Sequence, residues 1–192
     1  PYGVDALRQW AASGSSTGQD ILFNWNDVVA ASRFQTKMWN IVRFSLMQIK
    51  KESPVPESDA PSTLIDRWML ANLSKTIAEV TGAMEEYLFD KGLKTIRDFA
   101  WNVMADEYLE FVKGRLYSEE PSRAGAVYTL KTTLDALCAM LSPYIPFFAQ
   151  ECYHHLSDGK RIIDHPWTTF SYVDEDALRD GDLIVNIVSL LR

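Results

Sequence analysis

Residues 24–51 read NWNDVVAASRFQTKMWNIVRFSLMQIKK, from Asn24 to Lys51, and the spacing of this stretch decides the fold. Val28, Ala31, Phe34, Met38, Ile41, Val42 and Ile49 recur at the intervals of an amphipathic α-helix. At 3.6 residues per turn the run makes about seven turns. Asn24 is placed to cap its start, and Asp27 falls in the first turn, where a negative charge meets the positive end of the helix. Lys50 and Lys51 suit the opposite end. On a different side, Arg33, Lys37, Asn40 and Phe44 stack at i, i+4, i+7 and i+11. A guanidinium, an ammonium, an amide and a ring therefore share a face that the core does not need. That set suits a surface that holds phosphates and stacks an unpaired base. It equally suits a solvated polar face with one ring tucked under a neighbouring helix.

Working outward, proline punctuates the chain. None occurs in 2–53 or 62–120, and both spans show helical periodicity. Val4 to Ala12 reads as a short helix, Ser13 to Gly18 as a loop, and Ile21 to Phe23 as a short extended piece. Residues 52–61 form a connector rich in proline, serine and acid. Ser62 or Thr63 then starts a helix, with Asp66 available for a capping box. The chain turns near Tyr87 to Asp90. A further helix carries Leu93, Ile96, Ala100, Val103, Met104, Phe111 and Leu116. Arg123 to Leu141 is another, and Pro143 and Pro146 start one that runs to about Leu156. Ser157 to Lys160 is a turn, and Arg161 to Ile163 a short strand or an extended tail. Pro166 to Asp182 reads mostly as loop, and Leu183 to Leu191 as the start of a helix. The expected fold is all-α, an antiparallel bundle of four to five long helices.

The chain has 192 residues, enough for one domain, or one plus an appendage. Its 47% hydrophobic and 23% charged residues are ordinary for a globular domain. No apolar run approaches the roughly 18 residues of a membrane span. The net charge of −7 argues against indiscriminate nucleic-acid binding. The charge is uneven, however. Residues 24–51 carry five bases against one acid, and 171–182 five acids against one base. A basic face on an acidic body steers a polyanion selectively. The two cysteines, Cys138 and Cys152, lie inside apolar helical patterns and fit a reducing compartment. The opening Pro1-Tyr2-Gly3-Val4 reads as mid-domain sequence, so the stretch is expected to belong to a longer protein.

Catalytic chemistry is not legible. His154 and His155 are adjacent and point to different sides of a helix, and His165 is isolated, so no metal set is expected. Gly14 and Gly18 match no phosphate-cradling loop. No nucleophile with its base stands in a motif context.

Several strings resemble one family, the class I aminoacyl-tRNA synthetases. Tyr2-Gly3-Val4-Asp5-Ala6-Leu7-Arg8 is similar to the segment that follows their catalytic KMSKS loop. Gly18-Gln19-Asp20-Ile21 and the run Lys37 to Phe44 look like the valine-specific branch, as do Trp101-Asn102 and the run Tyr108 to Tyr117. Leu141-Ser142-Pro143-Tyr144-Ile145-Pro146-Phe147 resembles the start of the last bundle helix, and Glu151 falls where that branch often has a carboxylate. Glu107, Gly114 and Asn26 depart from residues common in the family, which are aromatic, proline and basic respectively. The resemblance implies an anticodon-binding bundle at 24–157. It also implies a tail of the stem-contact region at 1–23 that links to a catalytic domain, and a C-terminal extension at 158–192. The parent enzyme would join valine to its tRNA in the cytoplasm, using ATP and Mg. Neither a cofactor nor a catalytic residue is expected within this stretch. The implied partners are the tRNA anticodon loop and the rest of the synthetase chain, with no membrane and no DNA.

The resemblance assigns anticodon contacts to Lys37, Arg43 and Phe44, with Leu109 and Glu110 as a second strip on a facing helix. Asn40 and Lys113 lie beside them and complete the candidate set. Phe44 would stack a base, Arg43 and Lys37 would hold phosphates or base edges, and Glu110 would accept from an amino group. Each has a competing structural role. Phe44 and Leu109 fit interhelical packing, Arg43 fits a salt bridge to Glu110 or another acid, and Asn40 fits a hydrogen bond to a neighbouring helix. Trp39 and Trp101 read as core, and Tyr108 is undecided. At this stage two other functions compete: the isoleucyl relative, which shares the bundle, and a helical protein-interaction module.

Overall fold

The computed structural model describes residues 2–14, 20, 22–51 and 62–191. It is helical, with no strand among the described residues. The order is α1 (Gly3–Gly14), α2 (Trp25–Ile49), α3 (Leu64–Glu85), then a long rod made of α4 (Phe89–Asp98), a π-helical stretch Phe99–Tyr108 and α5 (Leu109–Leu116). After it come α6 (Arg123–Leu141), α7 (Pro146–Leu156), a single 3₁₀ turn at Ile162–Asp164, and α8 (Glu175–Leu191). The connector at 52–61, most of the Ser13–Gly18 loop and Ile21 lie outside the described residues.

The expected caps form. Asn24 accepts from the Asn26 amide at 2.9 Å and starts α2. Asp66 accepts from the Thr63 amide at 2.8 Å and starts α3. Pro146 opens α7, where its missing N–H costs nothing. The reversal between α3 and the rod runs through Tyr87 in the left-handed region, φ 58. Phe34, Met38, Met69, Leu73, Leu93, Ile96, Met104, Leu130, Leu134 and Leu137 are sealed into one continuous core. The N-terminal residues are bound to the bundle. Asp5 caps the start of α7 by accepting from the Phe148 amide at 2.6 Å, Arg8 donates to the Pro143 and Tyr144 carbonyls, and Gln35 donates to the buried Gln9.

A buried charge pins three elements together. Asp66, 0% exposed, accepts from Arg115 at 2.7 Å and from the Tyr108 hydroxyl at 2.8 Å. Arg115 also donates to Thr63 and to the Ser122 carbonyl at the entry to α6. Tyr108, undecided from sequence, is therefore core. Its phenol is pushed well above its ordinary pKa, first by burial and then by the Asp66 charge.

Three expectations change. The rod is not uniformly α-helical. The Leu109 amide reaches back five residues to Met104, so Phe99 and Ala100, Met104 and Ala105, then Tyr108 and Leu109 all turn inward, each pair buried. A π turn holds more residues than an α turn, which keeps this apolar face on the core where a 3.6-residue period would drift off it. Second, Arg161–Ile163 forms no strand. Ile162 is tied down by Gln150, which accepts from its amide at 2.9 Å, and the chain makes a 3₁₀ turn. Third, α8 begins at Glu175, not Leu183. Asp174 accepts from the Ala177 amide at 2.8 Å as the cap, and Ala177 and Gly181 bury against α3. A Cβ at Gly181 would stand 2.2 Å from Trp68 Cδ1, while Trp68 donates to Asp182 at 2.8 Å. Small residues and acids that read as loop are the packing face and capping groups of this helix.

Two outcomes follow from these groups. Arg115→Met leaves the buried Asp66 carboxylate without its cation and costs about 3–5 kcal/mol of stability, measurable by urea denaturation. The Tyr144 phenol is pushed up to about 12 by burial and then by Asp90. Above about pH 10 the unfolded chain loses this proton and the folded one keeps it. Its contribution is whole below that pH and is lost as pH rises through the folded value. Melting temperature therefore falls between about pH 10 and about pH 12, and falls less steeply in Tyr144→Phe.

Candidate nucleic-acid interface

A groove of about 580 Å³ runs between α2 and the far end of the rod. α6 packs against both helices, which make little direct contact with each other. The gap between the two is the groove. Its α2 wall is Arg33, Thr36, Lys37, Asn40, Ile41 and Phe44. Its other wall is Ala105, Asp106, Leu109, Glu110 and Lys113.

Lys37, Asn40, Phe44, Leu109, Glu110 and Lys113 are thus brought together as expected, and Arg43 is not. One residue before Phe44, it is rotated about 100° around α2 and stands exposed on the outer flank. It forms no pair with Glu110, which is taken by Lys113 at 2.6 Å. Asn40 is exposed on the groove wall. Phe44 is half-buried, with one part packed on the core, and Leu109, 6% exposed, is the apolar wall opposite it. Lys37 is held twice. Its Nζ lies 2.8 Å from Asp106 and 3.5 Å from the centroid of the Trp101 ring. Trp101 is therefore not core. It is partly exposed and stacks on Phe34, with planes 18° apart. Trp39 is partly buried against the core, as expected.

Asp106, absent from the candidate set read from the sequence, also lines the groove and pairs with Lys37. The signal was present, because Asp106, Glu110 and Lys113 repeat i, i+4, i+7 and mirror the polar stripe of α2. Three cations and two carboxylates line the groove, so it is nearly neutral and suits base edges and rings more than a run of phosphates. Both ion pairs are between half-exposed groups. Such pairs are worth about 0–1 kcal/mol, so a ligand opens them at little cost.

An all-helical bundle with an amphipathic, ring-bearing groove between two rods fits a module that reads unpaired nucleotides. The chain belongs to the family of anticodon-binding domains of tRNA ligases, whose profile matches residues 66–192. Within that family it is similar to valine–tRNA ligases. It is 47% identical to that of Archaeoglobus fulgidus, over 100% of this chain and 22% of the relative. It is 45% identical to that of Methanosarcina acetivorans, over 100% of this chain and 23% of the relative. The chain thus spans about a fifth of the length of these relatives. The fold is also that of part of a solved leucyl enzyme, LeuRS of Agrobacterium radiobacter K84 in a ternary complex with tRNA and LeuAMS. The TM-score is 0.68 at 18% identity, covering 92% of this chain and 20% of that one.

Asp106→Asn tests the charge balance of the groove. It should leave stability within about 1 kcal/mol of the wild type. By releasing Lys37, it should steepen the salt dependence of binding to a single-stranded RNA by about one unit of log–log slope.

Proposed function

We propose that this chain is the part of a valine–tRNA ligase that recognises the tRNA anticodon loop. The remainder of the enzyme would bind ATP, Mg and valine and carry out aminoacylation in the cytoplasm. The observation that carries the reading is the groove itself. A ring (Phe44) and an aliphatic side chain (Leu109) face each other across it, with carboxylates and an amide on its walls. Unpaired anticodon bases splay out of their loop and insert between such walls. The stacked face supplies affinity, and the base edge is read by Asn40, Asp106 and Glu110. Arg33 lines the slot and Arg43 stands exposed on the outer flank of α2, where the phosphates of a threaded strand would pass.

A titration of the chain with hairpin RNAs bearing valine and isoleucine anticodons, at two salt concentrations, tests this. Tighter binding of the valine hairpin is expected. Phe44→Ala should weaken it by about 1–3 kcal/mol. Arg43→Ala should weaken both hairpins alike and lower the salt slope by about one. Equal affinity for the two hairpins, or a Phe44→Ala variant that binds like the wild type, removes the assignment.

A further inference from the structure

The groove does not end the ring system at Phe44. The edge of that ring meets Tyr117, with centroids 6.3 Å apart and planes at 62°. Tyr117 follows the last residue of α5, and 67% of its surface is exposed. A side chain of this size is normally covered, because its ring gains by leaving water. Lys51, just past the end of α2, holds its Nζ 5.7 Å from the Tyr117 centroid. Around Tyr117 lies a second cavity of about 480 Å³, walled also by Lys51, Ser118, Glu119, Glu120 and Arg123. Phe44 lines the first cavity, Tyr117 the second, and the two rings touch. The two cavities are therefore joined through one aromatic pair.

We propose that Tyr117 is a second stacking position, which takes the unpaired nucleotide next to the one held at Phe44. The inference rests on the anticodon-loop reading above and extends it by one nucleotide. Surfaces that hold single strands use successive rings for the bases and cations along the backbone. Tyr117 supplies the ring and Lys51 the cation. Two carboxylates offset the Lys51 ammonium and the Arg123 guanidinium, which donates to the Leu116 and Gln48 carbonyls, so the pocket is neutral and suits a base edge more than a phosphate. Glu119 or Glu120 accepts from an exocyclic amino group, as a carboxylate does from cytosine N4. Adenine and cytosine, which carry such a group, are favoured there over uracil.

The experiment is an equilibrium titration of the 192-residue chain with a hairpin RNA carrying a valine anticodon loop. The variants are Phe44→Ala, Tyr117→Ala, Tyr117→Phe and the double alanine variant. Tyr117→Ala should weaken binding at least about fivefold and Tyr117→Phe less than about twofold. The double variant should bind more weakly than either single variant, by less than the product of the single losses because the touching rings couple. Hairpins made abasic at one loop position at a time then locate the base. One position should cost the wild type affinity but not Tyr117→Ala, and it should neighbour the position that behaves so for Phe44→Ala. Two results overturn the inference while leaving the anticodon reading intact. In one, Tyr117→Ala binds like the wild type although Phe44→Ala is weakened. In the other, the double variant is no weaker than Phe44→Ala, which makes Tyr117 only a prop for that ring. A wild type that ignores the hairpin even at low salt overturns both.

Discussion

The Asp66 carboxylate lies wholly beneath the surface, and the groups around it are arranged to keep it paired. Arg115, Tyr108 and the Thr63 amide all donate to it, from the start of α3 and from the far half of the rod. Taking a carboxylate out of water costs several kcal/mol, recovered only when partners and geometry are right. The start of α3, the junction of the π stretch with α5, and the entry to α6 through Ser122 therefore hold one arrangement. That arrangement fixes the rotation of α5. With Tyr108, Val112 and Arg115 turned toward α3 and α6, the residues on the other side of α5 must face α2. Leu109, Glu110 and Lys113 reach the groove because Asp66 holds their neighbours elsewhere.

The groove is made by separation rather than by contact. α6 packs on both α2 and the rod, whose backbones stay apart and meet through side chains such as Lys37 with Asp106 and Phe34 with Trp101. An apolar floor needs a cover, and polar walls need partners. Lys37 reaches across to Asp106 on the facing wall, and Lys113 pairs with Glu110 on its own wall. These pairs are weak because they are half-exposed. They hold the side chains out of a collapsed arrangement and yield readily to a ligand. The cation over Trp101 adds a second weak hold on Lys37. Under the proposed function, polar groups held in pairs of this strength would let a nearly neutral surface take an unpaired RNA strand without binding every polyanion.

Much of the helical order was legible before any coordinates, because the caps and the apolar period agreed with one another. Asn24, Thr63 with Asp66, and Pro146 marked starts by local chemistry that survives in the fold. The candidate site was legible where it depended on spacing along a single helix, as with Lys37, Asn40 and Phe44. It failed where the answer lay around the helix rather than along it. Arg43 borders Phe44 in sequence and faces another way in space. α8 was misplaced by eight residues because its packing face is glycine, alanine and aspartate. Those residues signal loop in isolation and make sense only against Trp68.

The sequence by itself determined which segments are helices, where most of them start, and which polar and aromatic groups share a side of α2, since these follow from periods and caps within reach of a few residues. Tertiary structure alone decided which side of the second rod faces α2, that Asp106 and Trp101 join the site, and that Arg43 stays outside it. Those outcomes depend on a carboxylate buried between three elements and on a π turn that resets the rotation of the rod. Neither can be felt by a chain that has not yet packed.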